Sequence, residues 1–304
     1  MDTVLTIKTT GGRAATINKQ LYALAQNVEN MTSYYKTGSE TVKINTAAGK
    51  QAVSLTPEYA DLLRLAFKVA DISPQDKFDI AISPLSSLWG FTKKQFRIPS
   101  SAEIKAVLPY TNLDQLVLSG NTARLQDTRA RIDLGGIAKG YSLDVMEQYL
   151  RTVRPRPREV IVDFGGNLLL YSGGRKNDWK VGIRDPRSSG IAGYVVTGDT
   201  FVATSGDYER YFIKNGVRYC HIIDPVTGYP SSLNQSATIF TRPGGLRGGF
   251  GDAVGKVFFC SPVASHKHLF DLVKPDGVTA IVSIDAAGRK STLGPITLEP
   301  APAS

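Results

Sequence analysis

The chain has 304 residues, of which 42% are hydrophobic and 21% are charged. This composition is typical of a globular protein with one large domain or two modest ones, and it excludes disordered, collagen-like and coiled-coil chains. Lysine and arginine number 36 against 27 aspartate and glutamate residues, which gives a formal net charge of +9. The basic balance favours an anionic ligand, nucleic acid or an acidic surface, and local chemistry must decide among them.

Cysteine and histidine are scarce, which limits the kinds of metal site that the chain can build. They are Cys220, Cys260, His221, His266 and His268. Two cysteines provide neither a disulfide framework nor a cysteine-based zinc site, so any metal here needs mainly oxygen ligands. No apolar run approaches the roughly 20 residues that a membrane-spanning helix needs.

The first third of the chain predicts one strand followed by helices. A β-type alternation runs from Met1 to Lys8, and the apolar spacing from Ala14 to Tyr34 predicts an amphipathic helix against a sheet. A second helix is predicted over Thr56 to Asp71, with its first residue as the N-cap. A short third helix follows Pro99-Ser100-Ser101, where the pattern Ser101-Ala102-Glu103-Ile104 does not match a capping box.

Strands dominate the predicted structure from about Leu113 onward. Residues 116–118 and 122–125 flank a turn tripeptide, Ser119-Gly120-Asn121, and predict a β-hairpin. Further strands are predicted over residues 159–171, 178–184, 193–204, 211–223, 235–241 and 278–284. Strands and helices do not alternate regularly, which favours an α+β fold with a mostly antiparallel sheet packed with helices.

The segment from Ile132 to Asp144 contains two adjacent glycines, Gly135 and Gly136, between a predicted strand end and a predicted helix start. Exposed N–H groups at a helix start favour an anion, and Lys139 adds a positive charge one turn into the helix. A plain turn that needs glycine for its backbone angles explains the same pattern, because the spacing matches neither common phosphate-binding signature. The glycines alone leave both interpretations open.

Three other segments carry candidate chemistry. Gly165 and Gly166 lie between predicted strands, where a hairpin turn or bulge is favoured over a phosphate loop. His221 ends a predicted strand before a Pro-x-Thr-Gly turn, where active-site residues are often placed, and a packed histidine is the alternative. Asp252 and Lys256 lie four residues apart in an apolar segment that reads as helix or strand, and they can pair if it is a helix.

These motifs together resemble the ApbE family of flavin transferases over nearly the whole chain. The resemblance is carried, in the family's order, by Met1-x-Thr3, Ser39-Glu40, Ile44-Asn45, Phe78-Asp79-Ile80, Leu88-Trp89-Gly90-Phe91, Asp133 to Tyr141, Gly165-Gly166-Asn167, Gly182 to Pro186, Thr204 to Arg210 and His221 to Pro230. It implies a single domain over residues 1–304, or two closely packed lobes. The implied architecture is ApbE-like and T-fold-like, with an FAD site between the lobes.

The resemblance implies an FAD:protein FMN transferase. Such an enzyme splits the FAD pyrophosphate with the help of Mg²⁺, attaches FMN through a phosphoester to a threonine or serine of an acceptor protein, and releases AMP. The implied acceptor is a redox or respiratory protein with a segment like Asp-x-x-(Ser/Thr)-Gly-Ala-(Ser/Thr). Phosphoryl transfer depends on charge neutralisation and an in-line hydroxyl, which suits a cation held by oxygen ligands.

The resemblance also implies which residues form the site. His221 matches the histidine that deprotonates the acceptor hydroxyl, while Asp252 and the carbonyl of Gly136 match the metal ligands. The FAD-binding positions are Met1, Tyr35, Lys77, Phe78, Asp79, Asp133, Lys139 and Ile223. Aromatic and apolar side chains in this set would suit the walls of a flavin or adenine pocket.

One departure from the family pattern concerns the metal. The family usually has Ala-Asp-Ala-Leu-x-Thr where this chain has Gly251-Asp252-Ala253-Val254-Gly255-Lys256, so an ammonium replaces a metal-binding hydroxyl. A charged lysine has no lone pair to offer a cation. We therefore expect Lys256 to lie at or beside the metal position, paired with Asp252 and in contact with the FAD pyrophosphate. It would then weaken or abolish Mg²⁺ binding.

Two other functions follow if Lys256 impairs transfer: an FAD-binding carrier, or a pyrophosphatase that hydrolyses FAD to FMN and AMP. Nucleic-acid binding has no recognisable module behind it. The family's usual location predicts a periplasmic or otherwise exported protein whose export segment has been removed, because Met1 itself falls on the Met-x-Thr motif. A cytosolic protein that begins at Met1 is the alternative.

Overall fold

A computed structural model describes residues 3–73 and 76–301 of the chain. Its helices are α1 (Ala14–Thr32), α2 (Glu40–Thr46), α3 (Pro57–Ile72), α4 (Ser83–Leu88), α5 (Ser101–Val107), α6 (Ala138–Thr152), α7 (Arg247–Phe259) and α8 (Val263–Val273). Its strands are β1 (Leu5–Thr10), β2 (Val53–Ser54), β3 (Leu116–Ser119), β4 (Thr122–Leu125), β5 (Glu159–Phe164), β6 (Leu168–Tyr171), β7 (Trp179–Arg184), β8 (Ile191–Thr197), β9 (Thr200–Gly206), β10 (Tyr211–Lys214), β11 (Val217–Cys220), β12 (Asn234–Thr241), β13 (Val278–Asp285) and β14 (Lys290–Leu293). The predicted α+β class is confirmed.

One large antiparallel sheet organises the described residues, with strand order β1-β5-β6-β9-β12-β13-β14. Strand β12 is buried along its whole length and lies between β9 and β13, where Ala237 faces Ser205 on one side and Ser283 on the other. Burial on both faces requires a covering layer on each. The β7–β8 hairpin packs on one face, through Val181 and Val195 among others.

Helices α6 and α7 cover the other face and touch through their backbones. A Cβ atom on Gly140 of α6 would lie 2.1 Å from the carbonyl oxygen of Gly248 in α7. No side chain fits in that space, so glycine is required at this crossing. The apolar side of α7, including Val254 and Phe258, packs into the core with Ile239 of β12.

The predicted early helices match the structure, with one correction. The N-cap of α3 is Thr56, whose Oγ1 accepts the N–H of Tyr59 at 3.4 Å. The expectation that α5 lacks a capping box was wrong, because the N-cap is Ser100 rather than Ser101. The N–H of Ser100 donates to Glu103 Oε2 at 2.8 Å, and the N–H of Glu103 donates back to Ser100 Oγ at 3.3 Å.

Several predicted strands are shorter than the apolar runs suggested. The run 159–171 is a β5–β6 hairpin, in which Gly165 and Gly166 both have left-handed backbone angles, so the hairpin interpretation is confirmed. The runs 193–204 and 211–223 each divide into two strands. Residues 132–134, which were predicted to end a strand, belong to no strand. The backbone of Ile132 bonds to the side chain of Asn45, and the N–H of Asp133 donates to the carbonyl of Ile80 at 2.7 Å. No helix in the described ranges is both long and apolar enough to cross a lipid bilayer.

Candidate functional site

The site lies where the first turn of α6 meets the middle of α7. Asp252 is 1% exposed, and its Oδ2 accepts the N–H of Gly140 at 3.0 Å. A carboxylate in this position compensates the positive end of helix α6. Asp252 therefore joins the two helices and at the same time presents its other oxygen, Oδ1, to the site.

The ammonium of Lys256 binds the other carboxylate oxygen of Asp252. Its Nζ donates to Asp252 Oδ1 and, at 2.7 Å, to the main-chain carbonyl of Asp252 one turn earlier in α7. Burial alone would raise the pKa of Asp252, but the ammonium groups of Lys256 and Lys139 outweigh it and hold that pKa below its ordinary value. Asp252 is therefore a carboxylate, while burial lowers the pKa of Lys256 and the negative charge of Asp252 opposes that fall.

Gly136 is the point where three segments meet. A Cβ atom on this residue would lie 3.5 Å from Cε2 of Phe78 and 3.6 Å from Cε of Lys256. Gly135 and Gly136 both lack the left-handed backbone angles that make glycine necessary in a plain turn, so that interpretation does not explain them. A Cβ atom at 136 would make only ordinary van der Waals contacts with Phe78 and Lys256, so space alone does not require glycine there.

His221 follows β11 and is held by the backbone opposite it. Strands β10 and β11 pair Tyr211 with Cys220, which places Arg210 opposite His221. The carbonyl of Arg210 accepts the His221 N–H at 2.9 Å and lies 3.2 Å from Nδ1 of the ring. Because a carbonyl only accepts, Nδ1 carries the proton and Nε2 keeps its lone pair.

The surroundings keep the His221 ring neutral. Burial lowers the pKa of His221 well below its ordinary value of 6.5, and the positive charges of Arg210, Lys139 and Lys256 lower it further. The positive charge of Lys139 also lowers the pKa of Lys256. The structure thus brings Asp252 and Lys256 into direct contact and places Lys139 next to Gly140, whose N–H Asp252 accepts. The charges of Lys139 and Lys256 also act on His221.

Asp133 is positioned by its neighbours in sequence and by Asn45. The side chain of Asn45 accepts the N–H of Ile132 at 2.8 Å and donates to the carbonyl of Ile132 at 2.9 Å. Asp133 Oδ1 then accepts the N–H of Gly135 at 2.8 Å. Burial raises the pKa of Asp133, and the hydrogen bond from Gly135 and the positive charge of Arg210 partly oppose that rise.

Lys77 and Asp224 tie two loops of the site together. Lys77 Nζ donates to Asp224 Oδ2 at 2.7 Å, and about a tenth of each side chain is exposed. The other oxygen of Asp224 accepts the N–H of Val226 at 3.0 Å, which fixes the loop after His221. Ile223 points into a buried cluster with Trp89 rather than into open space.

The remaining predicted FAD-binding residues have varied surroundings. Asp79 accepts the N–H of Ala81 at 2.6 Å and of Leu113 at 2.7 Å, and burial raises its pKa to about 7. Both oxygens of Asp79 thus hold backbone in place. Tyr35 is 65% exposed, and its hydroxyl donates to the carbonyl of Thr92 at 3.1 Å. Met1 lies outside the described residues.

A model of the ApbE family matches residues 1–282 of the chain. The chain belongs to the ApbE family. An FAD:protein FMN transferase of Klebsiella pneumoniae is 31% identical over 215 residues, which are 69% of this chain and 66% of that relative. One of Treponema pallidum is 32% identical over 241 residues, which are 73% of this chain and 66% of the relative. The chain therefore spans just under two thirds of the length of these relatives.

Solved structures of ApbE proteins have the same fold. The ApbE protein of Thermotoga maritima matches with a TM-score of 0.85 and 28% identity, over 95% of this chain and 93% of that one. The flavin transferase ApbE of Vibrio cholerae matches with a TM-score of 0.78 and 22% identity, over 96% and 94%. Both comparisons extend over almost all of the architecture described above.

Three residues that position this site lie in the family motifs, but the sequence assigned them no role. Arg210 supplies the carbonyl that orients His221, Asp224 binds Lys77, and Asn45 holds the strand-like segment before Asp133. A hairpin prediction with the correct register would have paired Arg210 with His221. The other two contacts join distant segments, and periodicity in the sequence carries no signal for them.

The groups around Asp252 do not suit the divalent cation that the ApbE resemblance implies. Oδ1 and the main-chain carbonyl of Asp252 both accept from Lys256, and Oδ2 accepts from Gly140. In the part of the chain that the structure describes, no three histidine, cysteine, aspartate or glutamate side chains cluster as a metal site. An ammonium fills the place where Mg²⁺ would need oxygen ligands.

Proposed function

We propose that the chain is an FAD:protein FMN transferase, which moves FMN from FAD to a serine or threonine hydroxyl of an acceptor protein and releases AMP. The observation that carries the proposal is the contact of His221 Nδ1 with the Arg210 carbonyl at 3.2 Å, which leaves the Nε2 lone pair available as a proton acceptor. The names of the similar proteins from Klebsiella pneumoniae and Treponema pallidum support it.

The positive charges account for binding of the FAD pyrophosphate. Lys139, Lys256 and the guanidinium of Arg210 each act on the His221 ring, whereas Asp252 supplies the nearby negative charge. A dianionic pyrophosphate would balance the excess of positive charge in this place. Lys139 lies in the first turn of α6, where the helix dipole also favours an anion.

The proposed reaction is a single displacement at phosphorus. The acceptor hydroxyl oxygen attacks the phosphorus on the FMN side of the pyrophosphate, and its proton passes to Nε2 of His221. The bond from that phosphorus to the bridging oxygen breaks, and AMP leaves with the bonding electron pair. The low pKa of His221 keeps the ring unprotonated before the step, and the Arg210 carbonyl holds the ring in the required tautomer.

Of the aromatic side chains that the resemblance implies for the FAD site, Tyr35 is available to receive a ring of FAD. It is 65% exposed, whereas Phe78 beside Gly136 is 5% exposed and packs in the core. Flat aromatic faces stack well on the isoalloxazine or adenine ring. As part of the same proposal, the acceptor is an exported redox protein with a segment like Asp-x-x-(Ser/Thr)-Gly-Ala-(Ser/Thr).

The test is to incubate the purified chain with FAD and an acceptor domain that carries this segment. We expect a flavin-fluorescent acceptor band that survives a denaturing gel, an acceptor mass increased by one FMN, and one AMP released per FMN attached. An acceptor with alanine in place of its serine or threonine is the matched control. Absence of acceptor-bound flavin under conditions in which FAD binds would refute the transferase proposal.

A second candidate is hydrolysis of FAD, or FAD binding without chemistry, and the Lys256–Asp252 pair favours it because that pair alters the place of the expected metal. Chromatography of the nucleotides without acceptor separates the cases. Hydrolysis gives FMN and AMP in equal amounts, and a carrier leaves FAD intact. A transferase consumes FAD mainly when the acceptor is present.

A further inference from the structure

The environment of Lys256 leads to an inference about the charge that the site uses. Lys256 is the last polar residue of α7 before its apolar end, and 18% of its side chain is exposed. Its ammonium has three N–H donors, of which two are engaged by Asp252 Oδ1 and by the Asp252 carbonyl. The third donor and the exposed part of the side chain are open to a ligand.

We propose that the ammonium of Lys256 takes the place of a divalent cation in this site and binds the FAD pyrophosphate directly, so that the protein binds and uses FAD without Mg²⁺. That the ligand is FAD rests on the proposed function. That the cation is Lys256 rests on its contacts with Asp252.

Charge balance supports the substitution. Lys139 and Lys256 together carry two positive charges, the same number as Mg²⁺, and both act on Asp252 and on His221. Because Asp252 offsets one of these charges, the two ammonium groups need the guanidinium of Arg210 to leave two net positive charges, which can neutralise a dianionic pyrophosphate with no further ion. The Arg210 guanidinium adds a third positive charge on the histidine side of the site.

Entry of a metal would be costly in the same place. Mg²⁺ bound to Asp252 would have to displace the Lys256 ammonium from Oδ1, which would leave a largely buried ammonium next to a divalent cation. Two positive charges this close repel each other strongly. A buried ammonium without its carboxylate partner also destabilises the folded protein. The methylene groups of Lys256 lie close to Gly136, with Cε 3.6 Å from the place that a Cβ on this residue would take.

The experiment measures FAD affinity and transfer in the full chain after removal of metals with EDTA, with and without added Mg²⁺. Wild-type protein is compared with Lys256→Met, which removes the charge, and Lys256→Thr, which restores a hydroxyl. Lys267→Met is the matched control, because Lys267 on α8 forms an exposed pair with Asp271 four residues away. Calorimetric titration with Mg²⁺ alone, in the absence of FAD, measures metal binding independently of activity.

We expect wild-type protein and Lys267→Met to bind FAD equally well in EDTA and in Mg²⁺, and to bind no Mg²⁺ at the site. Lys256→Met should bind FAD about 10-fold or more weakly in both conditions, since a charge-assisted hydrogen bond is lost. Lys256→Thr should be equally weak in EDTA and should recover affinity when Mg²⁺ is added.

Two results would overturn the inference. One is a gain of about 10-fold or more in the FAD affinity of wild-type protein on addition of Mg²⁺, which needs no variant to fold. The other is wild-type affinity in a folded Lys256→Met protein. If the binding data follow the expected pattern but no FMN reaches the acceptor in either condition, the transferase proposal fails and the inference about the cation stands.

Discussion

The contact between α6 and α7 contains two buried aspartates whose roles differ, although their positions are reciprocal. Asp144 of α6 accepts the N–H groups of Gly248 and Gly249 at the start of α7, both at 2.7 Å. Asp252 of α7 accepts the N–H of Gly140 at the start of α6. Each carboxylate therefore caps the other helix.

The second carboxylate oxygen makes the difference. At Asp144 both oxygens bind backbone N–H groups, no ammonium pairs with it among the described residues, and burial raises its pKa well above the ordinary value. At Asp252 one oxygen binds Lys256, and two ammonium groups hold the pKa down. Asp144 therefore only anchors the two helices to each other, whereas Asp252 anchors them and also belongs to a charged site.

The largest expected effect is on catalysis, from a substitution of His221 in the charged site. His221→Ala should lower the rate of FMN transfer by about 10²- to 10⁴-fold, because the acceptor hydroxyl loses its proton acceptor. The free energy of unfolding should change little, since the ring is only partly buried and, among the described residues, its ring hydrogen bond is to the Arg210 carbonyl. Time courses of acceptor flavin fluorescence measure the rate. A variant with the wild-type rate would remove His221 from the reaction.

The next effect is at the anchor, Asp144. Asp144→Ala should lower the free energy of unfolding by about 2–4 kcal/mol, because two buried N–H groups lose their acceptors. Urea denaturation followed by circular dichroism measures it. Asp271→Ala removes an exposed carboxylate and should change the same quantity by less than about 0.5 kcal/mol. Equal losses in the two variants would show that Asp144 is not an anchor.

Gly140→Ala should affect the anchor and the charged site together. Its new Cβ would lie 2.1 Å from the Gly248 carbonyl oxygen and 2.7 Å from Cβ of Asp252, so the helices must separate. We expect a loss of about 1–3 kcal/mol in unfolding free energy, accompanied by slower transfer. Gly12→Ala, where nothing lies within 4 Å, is the control. A stable and fully active Gly140→Ala protein would contradict the close contact.

The smallest expected effect is a shift in pH dependence. Only the neutral His221 ring accepts a proton, so a lowered pKa moves the loss of activity at low pH to values well below 6.5. Lys139→Gln removes a nearby positive charge and should raise this pKa, which moves the acid limb upward by less than about one pH unit. The rate at saturating FAD against pH measures the shift. A downward shift would refute the electrostatic argument.

The sequence predicted most of the features that depend on neighbouring residues. The spacing of apolar residues predicted α1 and α3, and the glycine pair at 165–166 predicted a hairpin turn. The four-residue spacing of Asp252 and Lys256 predicted that they can pair if the segment is a helix, and the structure has both the helix and the pair. The family motifs selected the segments that the structure brings together around Gly136.

Helix α7 itself could not be assigned from the sequence, for a physical reason. Four glycines, Gly248, Gly249, Gly251 and Gly255, give it low helix propensity. Packing explains them, since a Cβ on Gly255 would lie 2.9 Å from Ser205 Oγ in β9. The hydrogen bond from the distant Leu113 backbone to Asp79 and the packing of Ile223 against Trp89 also join segments that are far apart in sequence. Local sequence patterns carry no information about such contacts.

The late position of α7 in the chain has a consequence for biosynthesis. Strand β12 pairs with β9, and β13 pairs with the other edge of β12. Helix α7 lies between β12 and β13 in the sequence. A nascent chain that ends before residue 234 leaves β9 without its β12 partner and lacks both Asp252 and Lys256. Such an intermediate exposes an unpaired sheet edge, which promotes aggregation. The contact between Asp252 and Lys256 therefore forms only after α7 has left the ribosome.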